Sequence, residues 1–298
     1  MPSPARFLPH LAARVLDTPL AIAPQKLSAI IGAIGPRFGV AAMGPEDLGN
    51  FDHEEQEQPE GVAVIPVVGS LVSRGLGGVE ALSGLQGYRA IGAALDEALA
   101  DDSVSGVLLD VDSFGGEVQG MLDLADRIRS ARDVKPVWAS VNENAYSAAY
   151  ALASACERVY VTRAGGVGSI GVVCAHTDVS ARDREEGVSY TLIHAGQHKV
   201  DGHSHAPLSE SHQKRLQAEV NRLYALFVAS VAADGRLTEE QARATEALTY
   251  HGEDAVTAGL ADEVGTFDDA LAALQERTQQ GARHNSPFGR MRPFPTRS

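Results

Sequence analysis

The chain has 298 residues, of which 44% are hydrophobic, and it carries a formal net charge of −14 with a sequence pI near 5.1. This length and apolar content suffice for one large globular domain or two small ones. The acidic charge argues against a surface for nucleic acids or anionic membranes, because such surfaces need clusters of lysine and arginine. We therefore expect neither a nucleic-acid partner nor a membrane partner.

The first 24 residues are partly apolar, but charged residues and the interior prolines Pro9 and Pro19 interrupt them before a signal-peptide core can form. The uncharged run at residues 145–156 is too short to span a bilayer and predicts a core helix. Cys156 and Cys174 lack C-x-x-C spacing, so buried thiols are favoured over a disulfide or a zinc site. These features predict a cytoplasmic protein.

Composition divides the chain into three parts. Residues 1–58 form an N-terminal arm that ends in an acidic linker, with a possible helix at 8–16 and an apolar patch at 27–34. That patch could pack on the main domain or on a neighbouring subunit. Residues 59–278 form the main domain, and residues 279–298 are an Arg- and Pro-rich tail that we expect to be disordered.

Strand and helix patterns alternate through the main domain. Strands are predicted at residues 62–68, 106–112, 134–141, 158–162, 172–174 and 189–194. Helices are predicted at 88–100, 117–132, from Ser147, at 177–186 and 207–233, and around 239–247, 253–258 and 268–274. This order predicts an α/β fold with a largely parallel sheet and a helical C-terminal part. Its site should lie in loops after strands, here 112–116 and 142–147.

Ser147 stands between the polar stretch 142–144 and an alanine-rich run. It is either a nucleophile at a helix start or an ordinary N-cap, and this segment alone favours the cap. Gly115 and Gly116 could present backbone N–H groups as an oxyanion hole, or could simply permit a tight turn.

Gly166-Val-Gly-Ser-Ile-Gly171 matches the dinucleotide pattern G-x-G-x-x-G, but a strand-like run follows it instead of a helix, and no acid lies near residue 191. Histidines at 194, 198, 203 and 205 lack a clear orienting acid for a catalytic triad. Asp201, His203 and His205 could ligate a metal, but a hydrated loop explains them more simply. We expect neither a cofactor nor a metal.

Only four of the 25 basic side chains are lysines, and one of them, Lys199, lies in the loop 196–202 after a predicted core strand. Its amine could return to the face that carries Ser147. A lysine acts as a general base only in its neutral form, which burial favours. The alternative is a solvated surface lysine, the commoner situation.

Four motifs in this order carry a family resemblance: Asp112-Ser-Phe-Gly-Gly116, Asn144-Ala-Tyr-Ser-Ala-Ala149, Gly168-Ser-Ile-Gly-Val172 and His198-Lys-Val-Asp-Gly202. They resemble the signal peptide peptidase (S49) family of serine proteases, over about residues 60–275. The apolar arm, Pro136-Val-Trp-Ala and the fourth motif are similar to the capsid-maturation protease branch of tailed bacteriophages and prophages.

The resemblance implies a crotonase-like fold shared with the Clp protease, and a Ser–Lys dyad. By motif position Ser147 is the nucleophile, Lys199 the general base, and Ser169 a hydroxyl that orients the lysine. The oxyanion-hole amides would be those of Gly116, with Gly115, and of Ala148.

One departure from the family pattern is Phe114, which stands where relatives usually have proline and so affects the shape of the oxyanion loop. The implied substrates are capsid, portal or scaffold proteins, bound as an extended strand beside Gly115 and Gly116 by a homo-oligomeric enzyme. Three alternatives remain: a general signal-peptide-peptidase-like protease, a crotonase-type acyl-CoA enzyme, and an inactive assembly or scaffold protein of the same fold.

Overall fold

The structure is a computed structural model that describes residues 19–23, 59–74 and 84–285, the last five without their side chains. The predicted helix at 8–16, the apolar patch at 27–34 and the end of the predicted tail lie outside these residues. In the residues described, no helix combines the length and the apolar character that crossing a membrane requires.

The strands are β1 (Leu20–Ile22), β2 (Val62–Val72), β3 (Leu85–Gly87), β4 (Gly106–Glu117), β5 (Val137–Tyr146), β6 (Arg158–Val161), β7 (Gly166–Gly168), β8 (Thr249–His251) and β9 (Glu263–Val264). The helices are α1 (Tyr88–Ala100), α2 (Met121–Ala131), α3 (Ala148–Ser154), α4 (Ser180–Glu185), α5 (Glu210–Ala232), α6 (Glu239–Ala244), α7 (Gly252–Thr257) and α8 (Phe267–Asn285).

One sheet organises the molecule, with the strand order β3-β2-β4-β5-β6-β9. Every neighbouring pair along this path is parallel. Antiparallel pairing occurs where β1 joins the end of β4 and where β8 joins β7. β7 in turn pairs in parallel with the end of β5. The predicted α/β architecture with a largely parallel sheet is therefore confirmed.

The strand sequences explain why the sheet is buried. Val107, Leu108 and Leu109 in β4 have no exposed surface, as expected for a strand covered on both faces. Helix α3 is equally enclosed, since each of its seven residues is buried, and it packs against β4, β5 and α2. Its alanines permit this close approach, and the Tyr150 hydroxyl satisfies its polarity by donating to the Leu260 carbonyl at 3.0 Å.

Two predicted loops are strand instead. β4 continues through residues 112–116, and β5 continues through 142–146. Cross-strand contacts explain the difference, because Ser113 pairs with Ala145 and the Asn142 amide donates to the Asp110 carboxylate at 2.5 Å. The polar residues therefore satisfy one another across the sheet rather than turning the chain.

The strand predicted at 189–194 is wrong, because these residues have no regular structure. The alternating pattern that predicts it is exposed: Tyr190 is 52%, Leu192 45% and Ile193 97% accessible. No partner strand in the described part of the chain pairs with this segment. The strand predicted at 172–174 is reduced to a single antiparallel bridge between Val173 and Leu20.

Helix boundaries also shift. α2 begins at Met121 instead of residue 117 because β4 extends to Glu117. α5 begins at Glu210 instead of residue 207, because the Ser209 hydroxyl caps it by accepting from the His212 amide at 3.3 Å. The last helix reaches Asn285, so the tail predicted from residue 279 begins as helix.

Candidate active site

Ser147 joins the end of β5 to the start of α3 in an unusual backbone conformation, with φ 56° and ψ −116°. Its amide donates to the Gly168 carbonyl at 2.8 Å, and its carbonyl accepts from the Ala151 amide at 3.0 Å. A conformation of this kind costs about 1–3 kcal/mol for a residue with a side chain, and it persists where surrounding bonds enforce it. Such strain is found at functional sites more often than in ordinary helix caps.

The Ser147 hydroxyl does not cap α3. The residue occupies the N-cap position, but its side chain makes no capping hydrogen bond. Instead the hydroxyl donates to the Gly171 carbonyl at 3.3 Å, and only 1% of the residue is accessible. The ordinary N-cap interpretation therefore does not account for this serine.

Gly115 and Gly116 are required by close backbone contacts rather than by a turn. Gly115 has φ +93°. A β-carbon there would overlap the Ala21 carbonyl oxygen and would lie 2.9 Å from the Tyr146 carbonyl oxygen and 3.0 Å from the Ala148 amide nitrogen. A β-carbon at Gly116 would overlap the Leu71 carbonyl. Gly115 therefore lies directly beside the backbone on both sides of Ser147.

The Ser113 side chain shapes this part of β4. Its hydroxyl donates to the Gly69 carbonyl at 2.6 Å and accepts from the Gly115 amide at 3.1 Å. Gly116 lies opposite Ala21 in the pairing of β4 with β1. Gly115 lies opposite Ile22 in the same pairing.

Ser169 follows β7, which pairs with the end of β5 just before Ser147. It too has a positive φ, 54°, and its amide donates to the Leu248 carbonyl at 2.9 Å. Only 4% of the residue is accessible. The carbonyl of the preceding residue, Gly168, accepts from the Ser147 amide, so Ser169 lies close to Ser147, and its hydroxyl can both donate and accept hydrogen bonds.

Lys199 is exposed, and its backbone amide donates to the Gly196 carbonyl at 3.1 Å. Its amine has no hydrogen bond or ion pair with any residue that the structure describes, Ser147 and Ser169 included. The structure therefore brings together Ser147, Ser169, Gly115 and Ala148, but it leaves Lys199 in solvent.

The loop that carries Lys199 is anchored to α5 through Asp201. The Asp201 carboxylate bonds the His198 ring at 2.8 Å and pairs with Arg215, while the His212 ring lies 3.9 Å away. The hydrogen bond with the His198 ring, followed by electrostatic interactions with Arg215, His198 and His212, lowers the pKa of Asp201 below its ordinary value. Gly196 and Gly202, with φ 93° and 76°, bracket this loop.

An aromatic cluster beside Ser147 has no clear signal in the sequence. The Tyr146 hydroxyl lies 3.0 Å from Nε2 of His251, and its ring meets that of Phe114 edge to face at 5.8 Å between centroids. Burial raises the pKa of Tyr146. Phe114, the departure from the family pattern, is thus packed against the residue that precedes Ser147, whereas nothing about His251 in the sequence connects it to this site.

The described residues contain no group of three or more His, Cys, Asp or Glu side chains placed to hold a metal ion. After the glycines at 166–171, no helix begins before Ser180, so the geometry of a dinucleotide site is missing. Cys156 is buried, Cys174 is partly exposed, and neither forms a disulfide within the described chain.

The chain is similar in sequence to a family of peptidases and in structure to a membrane protease. The model of "Peptidase family S49" matches residues 129–281, more than half of the chain. A structure of the 1510-N membrane protease specific for a stomatin homolog from Pyrococcus horikoshii is similar over 72% of this chain and 79% of its own, with 13% identity and a TM-score of 0.43.

Two phage proteins are more similar in sequence. "Head-tail preconnector protein GP5" of Enterobacteria phage P21 is 38% identical over 288 residues, which cover 90% of this chain and 57% of that protein. "Capsid assembly protease C" of Escherichia phage lambda is 35% identical over 296 residues, which cover 93% and 67%. The chain thus spans between about half and two thirds of these relatives. On the family match and these identities, this chain belongs to peptidase family S49.

Proposed function

We propose that this chain is a serine endopeptidase with Ser147 as nucleophile, Lys199 as general base and Ser169 as the hydroxyl that orients the lysine. One observation carries the proposal: a buried serine, held at φ 56°, lies beside Gly115 and the Ala148 amide in a member of a peptidase family. That combination supplies a nucleophile and candidate oxyanion donors at a single point.

In the proposed reaction, Oγ of Ser147 attacks the scissile carbonyl while neutral Lys199 takes its proton. The oxyanion is stabilised by amides from the Gly115–Gly116 strand and from Ala148. Protonated Lys199 then gives the proton to the leaving amine. A water molecule, deprotonated by the same lysine, hydrolyses the acyl-enzyme and restores Ser147.

Two changes are needed before this chemistry can begin. The Ser147 hydroxyl must give up its 3.3 Å bond to the Gly171 carbonyl so that its proton can pass to a base. The exposed amine of Lys199 must approach Ser147, which requires rearrangement of the loop between Gly196 and Gly202. Glycines with positive φ at both ends of that loop are suited to such a change.

The proposed substrates are capsid, portal or scaffold proteins processed during phage head maturation. Support comes from relatives named as a capsid assembly protease and a head-tail preconnector protein. Homo-oligomerisation is expected from the family resemblance. A general peptidase is the second candidate, because a putative signal peptide peptidase SppA of Enterococcus faecium is 29% identical over 180 residues.

The proposal is tested by co-expressing the chain with head proteins from its phage or prophage and mapping their termini by mass spectrometry. Ser147→Ala should abolish the new termini while the circular dichroism spectrum and unfolding midpoint stay close to those of the wild type. Unchanged cleavage by the folded Ser147→Ala protein would refute the assignment. Wild-type cleavage of unrelated apolar peptides, but not of head proteins, would favour the general peptidase.

A further inference from the structure

The short strand β1 occupies the groove between β4 and the segment at 171–173, here called the β1 groove. On one side Leu20, Ala21 and Ile22 lie opposite Glu117, Gly116 and Gly115 in antiparallel pairing. On the other side Leu20 exchanges two hydrogen bonds with Val173, at 2.7 and 2.8 Å. The strand is fully enclosed, since Leu20 to Ala23 are each no more than 5% accessible.

The β1 groove lies next to Ser147, the proposed nucleophile. Gly115, opposite Ile22, is in close contact with the Ala21 carbonyl oxygen and with the backbone on both sides of Ser147. On the opposite side, the Ser147 hydroxyl is bonded to Gly171, two residues before the bridge at Val173. Both walls of the β1 groove, residues 115–117 of β4 and residues 171–173, therefore lie against Ser147 or the residues next to it.

A peptide cleaved by Ser147 must place an extended segment beside the same walls. Its scissile carbonyl has to reach Ser147 and the amides of the Gly115–Gly116 strand, and its flanking residues need backbone partners. The Phe114 carbonyl, one such partner, already accepts from the Ala23 amide at 2.9 Å. β1 and a substrate strand would use the same hydrogen-bonding groups, so both cannot be bound at once.

Building on the proposed peptidase function, we infer that β1 is an intramolecular inhibitor, held in the position of the substrate strand and displaced before a peptide is cleaved. The other features of the site fit a resting arrangement. The Ser147 hydroxyl is bonded to a carbonyl rather than to a base, and Lys199 lies in solvent. A segment bound beside an unassisted serine is not cleaved.

A reversible lock tests this inference in the full chain. Leu20 and Val173 exchange both backbone bonds, so their Cα atoms should be about 5.5 Å apart, within the range that a disulfide spans. Leu20→Cys/Val173→Cys is made in a Cys174→Ser background, which removes the neighbouring thiol. Peptide turnover is measured after oxidation and again after reduction, with each single cysteine variant treated in parallel.

The locked protein should cleave peptides at least about tenfold more slowly than the same protein after reduction, because the competent state is no longer populated. Equal turnover in both states would overturn the inference, since β1 would then be a permanent strand of the sheet. Failure of the two cysteines to form a disulfide would overturn it too, because the pairing itself would be wrong.

A release variant gives the opposite signature. Leu20→Asp places a carboxylate at a position that is 3% accessible, so it should expel β1 and raise peptide turnover above wild type. Val134→Asp, at an exposed position, is the matched control and should leave turnover unchanged. Lower turnover by a folded Leu20→Asp protein would contradict inhibition and indicate a structural strand. If wild-type, locked and released proteins are all inactive on peptides, the proposed peptidase function fails, and the inhibition with it.

Discussion

Gly115→Ala is a sharp test of the geometry around Ser147, the proposed nucleophile. The added methyl group would overlap the Ala21 carbonyl oxygen and would lie 2.9 Å from the Tyr146 carbonyl oxygen and 3.0 Å from the Ala148 amide nitrogen. The residue would also have to keep φ +93°, which L-residues rarely adopt. We therefore expect both a loss of stability and a loss of activity.

The loss of stability has two sources, the strained backbone conformation and the steric overlap, and a second glycine separates them. Gly187 also has a positive φ, 71°, but a β-carbon there has no atom within 4 Å. Gly187→Ala should therefore cost only the backbone strain, about 1–2 kcal/mol of unfolding free energy, and should leave activity unchanged. Gly115→Ala adds steric overlap in a close-packed region, which typically costs a further 1–3 kcal/mol or so.

Urea unfolding gives the stability of both variants, and hydrolysis of a fluorogenic peptide gives their activity. Distortion of the proposed oxyanion strand should lower kcat of Gly115→Ala by a factor of about 10²–10³. This is measured without urea, at a temperature where both variants remain folded. Equal unfolding free energies and equal kcat values for Gly115→Ala and Gly187→Ala would refute the steric role assigned to Gly115. A loss of stability without a loss of kcat would separate Gly115 from the oxyanion site.

Three further predictions concern titratable groups. Burial raises the pKa of Cys156 to about 12, so iodoacetamide at pH 8 should modify Cys156 only as fast as the protein unfolds, whereas alkylation at the rate of partly exposed Cys174 would contradict its burial. The pKa of Asp201 is lowered, so the stabilisation of the Lys199 loop is present above the ordinary carboxyl pKa of about 3.9 and is lost as the pH falls through the lower folded value. Asp201→Asn should accordingly speed hydrogen exchange of residues 196–202 at pH 7, and no change there would show that the ion pairs do not hold the loop. Burial raises the pKa of Asp110, against the opposing bond from Asn142 and with a further increase from Asp112. The charged form is therefore disfavoured by folding, and Asp110→Asn should raise the melting temperature at pH 7 and lose this advantage in acid, whereas a lower melting temperature at pH 7 would contradict the sign.

The sequence predicts a strand or a helix correctly where the spacing of its apolar residues and the length of the segment indicate the same structure. β4 and α1 have patterns that only a covered strand and an amphipathic helix satisfy, and both occur. The segment at 189–194 has an equally good strand pattern but is exposed, because alternation reports a half-apolar face and not the presence of a neighbour to cover it. Strand pairing depends on distant residues, which no local pattern contains.

The candidate site shows the same division. The order of the motifs singles out Ser147, Ser169 and the glycine pair as candidates, and the structure places them close together. The positive φ of Ser147 and Ser169 is not predictable from residue type, since serine has no preference for it and the surrounding bonds impose it. β1 is missed because three residues within an arm of mixed composition carry too short a pattern, and their burial comes entirely from the walls of the β1 groove.

Active-site labelling tests whether Ser147 is a nucleophile that Lys199 activates. The full chain is treated with a peptidyl phosphonate, and the labelled residue is located by mass spectrometry of proteolytic fragments. The account predicts one adduct, on Ser147, that is absent in Ser147→Ala and forms at least about 10²-fold more slowly in Lys199→Ala. Lys214→Ala, which removes a 74% exposed lysine, is the control and should label at the wild-type rate. Labelling of another residue, or an undiminished rate in Lys199→Ala, would contradict the account.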